Sequence, residues 1–370
     1  AAIWSPSTPI PKPMTEKLSL VVHRLERETP DALLIYFRSE EISSFVPGQF
    51  LTLMVSINGQ TYRRSYSIFT DPAELPTLGV CVKRLPGGLV SNHLLDNLHE
   101  GDRLDVLPPY GNFALDPALS TLPPVVLVGA GSGITPLFSM LSMALRHPSA
   151  PHILLLYGSR SAEEVIFGQA LNRLQDEYPQ RLQVVHCLSR SLQGQESLKG
   201  LLHHGRIDTT VLAQHLSNRE ASFYLCGPEG LVHDTEHWLQ AQGIASHRIH
   251  KELFFQSSPK VEAPSPTPSS VDDDPGALPV VTLKVDGKVY EFAVEPGRYI
   301  LETALEQGID LPYACTMGVC GMCRAKKISG EMFIGDQEAI SASEIASGAC
   351  LTCVGRPLSN RLVIDYDVPN

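Results

Sequence analysis

Between Leu18 and Phe113 the chain runs in short apolar–polar alternations, LSLVVHRL, ALLIYFRS, FLTLMVSI and LGVCVKRL, separated by Gly, Pro and Asn turns. A period of two puts the apolar side chains on one face of a strand. Short strands at this spacing predict an antiparallel β-barrel. From Pro124 the texture changes: the apolar runs PVVLV, HILLLY, LQVVHCL and SFYLC alternate with helical stretches through Met143, around Glu163 to Gln175, and through Gln240. That alternation predicts a parallel sheet with crossover helices. Nearer the C-terminus VVTLKV and KVYEFAV flank Asp286-Gly287, a hairpin signal. Ile300, Leu301, Ala304 and Leu305 then share one helical face. The expected fold class is multidomain: an antiparallel β-barrel, an α/β parallel sheet and a small α+β domain.

The stretch Gln256 to Pro279, QSSPKVEAPSPTPSSVDDDPGALP, has almost nothing to bury and reads as an extended, solvated linker. The expected domains are 15–118 for the barrel, 119–256 for the α/β domain, 257–279 for the linker and 280–370 for the last domain. A length of 370 residues accommodates that number of cores. The most apolar stretch, Leu122 to Leu145, is broken by Pro123, Pro124, the glycines of GAGSG and Pro136, so a strand, turn and helix are expected there and no membrane span. The opening AAIWSPSTPIPKPM lacks the pattern of a secretory signal and reads as a loose arm, with a cytoplasmic location expected. A net charge of −11 without a Lys/Arg run argues against a nucleic-acid partner. An acidic surface suits a basic protein partner instead.

Five of the eight cysteines, Cys315, Cys320, Cys323, Cys350 and Cys353, crowd the last part of the chain. Without a secretory signal they favour metal ligation over disulfides. Cys315, Cys320 and Cys323 stand as C-x4-C-x2-C, and Cys353 follows after 29 further residues. This is plant-type ferredoxin spacing, in which three thiolates of one loop and a fourth from a distant strand enclose a 2Fe-2S cluster. The small residues of ACTMGVCGMC let backbone N–H groups approach the sulfurs. A zinc site is the competing reading, though zinc sites usually pair short C-x2-C arms. Cys350 satisfies the count for a fourth ligand, but LTC at Leu351 to Cys353 matches the ferredoxin pattern, so Cys353 is the expected ligand and Cys350 a buried neighbour.

Two further constellations are candidate phosphate sites. In RRSYSI, Arg64 and Tyr66 lie two apart on a strand and project together, so a guanidinium can neutralise a pyrophosphate while the phenol stacks on an isoalloxazine, and Ser67 can serve the reactive flavin nitrogen. VKRLPGGLVSNHL offers Gly87, Gly88 and Ser91 before a helical run, a cradle for the same pyrophosphate. PVVLV runs into Gly129, Gly131, Gly133, Thr135 and Pro136, a turn facing a helix N-terminus where a dinucleotide pyrophosphate fits. Its G-x-G-x-G spacing is not the dehydrogenase fingerprint. Ser159 and Arg160 end the next apolar run, where they could hold a 2′-phosphate of NADPH, though the pattern leaves NADH open as well, and Cys226, Gly227 and Pro228 stand at the end of SFYLC.

On these motifs the chain resembles the ferredoxin–NADP reductase family over about residues 15 to 255, with a ferredoxin-like tail over most of the rest. The order resembles reductase components of bacterial multicomponent oxygenases, and GVCVKRLPGGLVSNHLLDN and GAGSGITPLFSM are particularly similar to the phenylacetyl-CoA epoxidase and ketosteroid 9α-hydroxylase reductases. The resemblance implies a β-grasp ferredoxin domain at the C-terminus. It places Arg64 and Ser91 on FAD phosphates, Tyr66 and Ser67 at the flavin ring, Gly88 in the phosphate turn, and Val82 and Lys83 among the cofactor-binding positions. It sets Cys226 beside the nicotinamide to orient hydride transfer and makes Glu252 an acid near the flavin. The function expected is an electron-transfer reductase carrying FAD and a 2Fe-2S cluster, fed by NADH or NADPH, whose partner is a terminal oxygenase or desaturase. The alternative partner is a non-oxygenase redox acceptor such as a hybrid-cluster protein.

Overall fold

The computed structural model describes residues 17–115, 121–149, 151–216, 218–254, 278–313, 315, 316, 318, 320–335, 337 and 339–368. They fall into two compact units, one within Glu16–Ser258 and one within Pro259–Asn370. The expected boundary at 118/119, nearly all of the expected linker and the N-terminal arm lie outside the described residues.

In the first unit β1 (Leu18–Thr29), β2 (Ala32–Arg38), β3 (Phe50–Ile57), β4 (Gln60–Ser67), β5 (Thr77–Lys83), α1 (Leu89–Asn97) and β6 (Arg103–Tyr110) form the expected antiparallel domain. Its strand order is β4-β3-β6-β1-β2-β5, and a bridge between Ile68 and Val80 brings the two edges together as a barrel. The period of two sends Leu51, Leu53 and Val55 into its core, where Val90 and Leu94 of α1 join them. Each such side chain contributes roughly 1.5–3 kcal/mol on leaving water.

The chain continues through β7 (Val125–Ala130), α2 (Ile134–Arg146), β8 (Ile153–Ser159), α3 (Gly168–Glu177), β9 (Leu182–Leu188), β10 (Leu201–His204), α4 (Thr209–His215), β11 (Ser222–Gly227), α5 (Glu229–Ala241) and β12 (Ile249–Leu253). The parallel sheet runs β10-β9-β8-β7-β11-β12. The chain steps outward from β7 to β10, then returns to the other side of β7 with β11. That reversal opens a crevice at the C-terminal ends of β7 and β11, where open α/β sheets bind ligands. The apolar stretch Leu122 to Leu145 is thus the strand β7 and the helix α2. Among the described residues no helix is long and apolar enough to cross a membrane.

The barrel and the parallel sheet share one core. Leu34, Phe69, Phe113 and Leu115 from the barrel side pack with Leu137, Met140 and Phe167. Polar links cross the same seam: Ser139 Oγ donates to the Thr70 carbonyl at 2.6 Å, Arg146 pairs with the buried Asp71, and Glu28 Oε1 accepts the Phe167 N–H at 2.6 Å.

One expected helix differs. In place of a helix beginning near Glu163, a short 3-10 turn at Ala162–Glu164 is followed by a break, and α3 starts at Gly168. Phe167 adopts the left-handed conformation, φ 62°, with its ring stacked on Phe138 at 4.3 Å and tilted against Phe69 at 4.9 Å. Burial of Val165, Ile166 and Phe167 against the barrel overrides local helix propensity.

The second unit contains β13 (Val280–Val285), β14 (Lys288–Ala293), α6 (Ile300–Glu306), β15 (Arg324–Ser329), β16 (Met332–Ile334), α7 (Ala342–Ala346), β17 (Ala349–Leu351), β18 (Gly355–Pro357) and β19 (Arg361–Asp365). The main sheet runs β14-β13-β19-β15-β17, with β13 and β19 parallel and the other pairs antiparallel. β16 and β18 form a separate ribbon. Asp286 and Gly287 turn the first hairpin with φ of 49° and 73°, as an Asp-Gly pair allows. Ile300, Leu301 and Ala304 are buried against the sheet, and Leu305 is half-buried beside them.

Candidate functional site

At the turn between β7 and α2 the structure builds a cradle from small residues. A Cβ on Gly133 would collide with the Cys226 carbonyl, and one on Gly129 would stand 2.7 Å from Leu137 Cδ1. Gly131 has φ 57°, and its carbonyl accepts a hydrogen bond from Tyr157 Oη at 3.0 Å. Thr135 Oγ1 donates to the Ser132 carbonyl at 2.9 Å, and Pro136 lies in the first turn of α2. Backbone N–H groups at the start of a helix, with no side chain to cap them, suit a pyrophosphate. The residues present fit a dinucleotide.

β11 forms the other wall. Cys226 is fully buried and pairs in register with Gly129 of β7 and Glu252 of β12. Burial, and then the neighbouring Glu252 carboxylate, push the Cys226 thiol up, so it is a neutral, uncharged group in this wall. Gly227 ends the strand with its Cα side against Ala130, and Pro228 precedes α5. Ser159 and Arg160 close β8, where Arg160 Nε donates to Glu164 Oε2 at 2.5 Å.

On the barrel, Arg64 and Tyr66 lie opposite Leu53 and Leu51 in register and so share a face of β4. Arg64 is exposed, with Nη1 donating to the Arg63 carbonyl at 2.7 Å. Tyr66 is half-buried, and desolvation, partly offset by the Arg64 charge, pushes its hydroxyl up. Ser67 is buried at the strand's end. Gly87 takes φ 72° in the turn after β5, and a Cβ on Gly88 would lie 2.7 Å from Ser91 Oγ, which itself accepts the Leu85 N–H at 3.2 Å. Gly88 precedes α1 with no side-chain cap, leaving the first N–H groups of that helix for a phosphate. Val82 packs its side chain into the barrel core, which leaves only its main chain available to a ligand. Lys83 Nζ reaches the nucleotide turn, 3.7 Å from where a Gly131 Cβ would stand, and burial lowers its pKa. The barrel thus supplies an exposed cation, a half-buried aromatic and a glycine turn, which fit a flavin dinucleotide.

In the second unit the four cysteines of the expected set form two sulfur pairs. Cys323 Sγ lies 3.0 Å from Cys353 Sγ, and the Cys320 thiol is held up by its contact with Cys315. Main-chain donors already reach these sulfurs: Cys320 N lies 3.4 Å from Cys315 Sγ, and Met322 N 3.5 Å from Cys320 Sγ. Three thiols on a glycine-rich loop, with φ 74° at Gly318 and 72° at Gly321, and a fourth from Cys353 just after β17 fit two irons with two ligands each. Cys350 does not join them. It stands opposite Ala325 in the β15–β17 ladder, its Sγ donates to the Ala325 carbonyl at 3.3 Å, and burial pushes its thiol up to about 12.

Residues that sequence patterns did not single out hold these loops. The Cys323 carbonyl accepts from Thr352 N at 3.3 Å, Thr352 Oγ1 at 3.4 Å and Tyr366 Oη at 3.4 Å, tying the three-cysteine loop to the strand before Cys353. Glu164, which binds Arg160, was legible only as an acidic residue four positions on.

Comparison with known proteins assigns families to three parts of the chain. The oxidoreductase FAD-binding domain family matches residues 20–115, the oxidoreductase NAD-binding domain family residues 127–237, and the 2Fe-2S iron-sulfur cluster binding domain family residues 283–358. The chain is 35% identical to one of the subunits of the 1,2-phenylacetyl-CoA epoxidase of Escherichia coli, over 96% of this chain and 99% of that one. It is also 35% identical to the ferredoxin reductase component of 3-ketosteroid-9-alpha-monooxygenase from Mycolicibacterium smegmatis, over 95% and 97%. The solved structure of phthalate dioxygenase reductase, described as a modular structure for electron transfer from pyridine nucleotides to 2Fe-2S, aligns with a TM-score of 0.60 at 25% identity, covering 94% of this chain and 98% of that one. With a flavin cradle, a nucleotide turn and a paired cysteine set in that order along the chain, the protein belongs to the ferredoxin-reductase-like family of iron–sulfur flavoprotein oxidoreductases, the family of oxygenase reductase components, and works with FAD, a pyridine nucleotide and a 2Fe-2S cluster.

Proposed function

We propose that this chain is the reductase of a multicomponent oxygenase or desaturase, taking electrons from NADH or NADPH and delivering them to a separate terminal component. The observation that carries the reading is the coexistence of the β7–β11 crevice, the Arg64–Tyr66 strand face and the paired cysteines in one chain that matches oxygenase reductases along almost its whole length. A flavin converts the paired electrons of a hydride into single electrons, and the cluster carries them one at a time.

The protein's own groups bind, orient and exclude water. Arg64, Val82, Lys83, Gly87, Gly88 and Ser91 hold the FAD phosphates and chain, and Tyr66 and Ser67 face its ring. Gly129, Gly131, Gly133, Thr135 and Pro136 seat the nucleotide pyrophosphate, while Ser159 and Arg160 take its adenosine end. Cys226, Gly227 and Pro228 form the wall beside the nicotinamide, with Glu252 adjacent. Cys226 suits this place because a buried, protonated thiol is small and carries no charge to compete with the nicotinamide. Cys315, Cys320, Cys323 and Cys353 ligate the cluster. The domains follow as 15–118, 119–256 and 280–370, joined by a linker at 257–279.

The purified chain is expected to carry one FAD and one 2Fe-2S cluster, measured by the visible spectrum with flavin and iron analysis. Isolation with zinc and no flavin would reject the reading. Arg64→Ala is expected to weaken FAD retention on the order of tenfold or more, because a charge-assisted contact to a pyrophosphate is lost. Flavin content after gel filtration checks this, and unchanged content would remove Arg64 from the site.

A further inference from the structure

Beside the nucleotide turn, Lys83 and Arg160 meet two acidic residues, Glu164 and Asp31, that have so far been given no role. Arg160 directs Nε to Glu164 Oε2 at 2.5 Å, and its Nη2 contacts the same oxygen. Lys83 Nζ stands 3.7 Å from that oxygen. Arg160 Nη2 also lies 3.9 Å from Asp31 Oδ2, at the turn between β1 and β2. The Glu164 side chain is only 21% exposed and is the point on which both cations converge. Arg84 Nε also lies 3.9 Å from Asp31 Oδ1 and is itself paired with Asp96 at 2.6 Å, so each cation of the cluster has a carboxylate partner.

Its position gives the balance a consequence. The end of the strand after the pyrophosphate turn is where an open α/β sheet meets the adenosine ribose, and an acid there hydrogen-bonds ribose hydroxyls whereas an unpaired Arg accepts a 2′-phosphate. We infer that Glu164 is a specificity-determining residue that makes this chain selective for NADH over NADPH: it occupies the Arg160 guanidinium that a 2′-phosphate would need and offers acceptor oxygens to a 2′-hydroxyl. The inference rests on the placement of the adenosine end at Ser159 and Arg160 proposed above.

A 2′-phosphate reaching Arg160 has to displace Glu164 or share the guanidinium with it, and sharing sets like charges side by side in a half-buried place. Such juxtaposition is how a site rejects the wrong partner. A neutral ribose hydroxyl meets no such opposition and donates to the carboxylate. Asp31, more exposed at 43%, adds negative charge on the other flank of Arg160.

The test uses the intact holoprotein, with kcat/KM for NADH and NADPH against ferricyanide and with calorimetric binding of NAD+ and NADP+ as a readout independent of turnover. The native chain is expected to favour NADH on the order of a hundredfold. Glu164→Gln, which keeps the shape and removes the charge, is expected to tighten NADP+ binding and raise kcat/KM for NADPH on the order of tenfold, with NADH changed far less. Glu164→Asp, which keeps the charge, should retain the NADH preference. Native preference for NADPH, or equal shifts of both nucleotides in Glu164→Gln, would overturn the inference. Arg160→Ala separates the underlying placement: if it changes binding of neither nucleotide, the adenosine end lies elsewhere and both readings fail. If it weakens binding while Glu164→Gln brings no gain with NADP+, the placement stands and the role of Glu164 does not.

Discussion

The Cys353→Ser protein is expected to be isolated with its flavin and without its cluster, whereas Cys350→Ser keeps both. Iron and acid-labile sulfide analysis beside the visible spectrum measures this. The two cysteines are close neighbours in sequence, yet the strand sends their sulfurs to different partners. Cys353 Sγ meets Cys323 Sγ at 3.0 Å, on the loop that also holds Cys315 and Cys320. Cys350 is fully buried in β17, and its Sγ is engaged by the Ala325 carbonyl. A serine hydroxyl at 350 can donate to that same carbonyl, so the strand keeps its partner. A serine at 353 replaces a soft thiolate with a hard, weakly acidic hydroxyl on one iron, and soft sulfur donors are what such clusters require. The loop carbonyl of Cys323, held by Thr352 and Tyr366, keeps the other three cysteines in place but supplies no fourth sulfur. Iron retained in Cys353→Ser and lost in Cys350→Ser would reverse the assignment of the fourth ligand.

Much of this architecture was readable from residue pattern because local and tertiary signals coincide. The alternating strands of the barrel bury one face, the continuous apolar runs from Val125 onward become strands covered on both sides, and Asp286-Gly287 permits little besides a tight hairpin. The cysteine spacing was informative for a different reason: few arrangements other than a cluster need that set. Where sequence and structure part, the cause is long-range. The start of the helix expected near Glu163 is set by Phe69 and Phe138 gripping Phe167 and by Glu28 accepting its N–H, partners that lie far off in sequence. The three donors on the Cys323 carbonyl and the convergence of Lys83 and Arg160 on Glu164 likewise join distant segments. No periodicity reports such meetings.

The second large effect concerns the division of labour between the two units. Each unit buries a core of its own residues: Val281 to Tyr366 supply one, and Leu20 to Tyr224 and Cys226 supply the others. Fragments 1–258 and 277–370 are therefore each expected to fold. The first contains the flavin cradle and the nucleotide crevice, so it should keep FAD and reduce ferricyanide with NADH. The second should hold the cluster and show no nicotinamide-dependent activity. Mixed together they should recover only part of the coupled rate, because covalent linkage supplies an effective concentration, on the order of millimolar, that free fragments lack.

The deciding quantity is the rate at which fragment 1–258 reduces cytochrome c, or the terminal oxygenase component, compared with the intact chain at equal flavin concentration. If electrons leave through the cluster, the fragment matches the intact chain with ferricyanide and loses nearly all activity toward the protein acceptor. Reduction of the protein acceptor by the fragment at the intact rate would show that the cluster is not on the path.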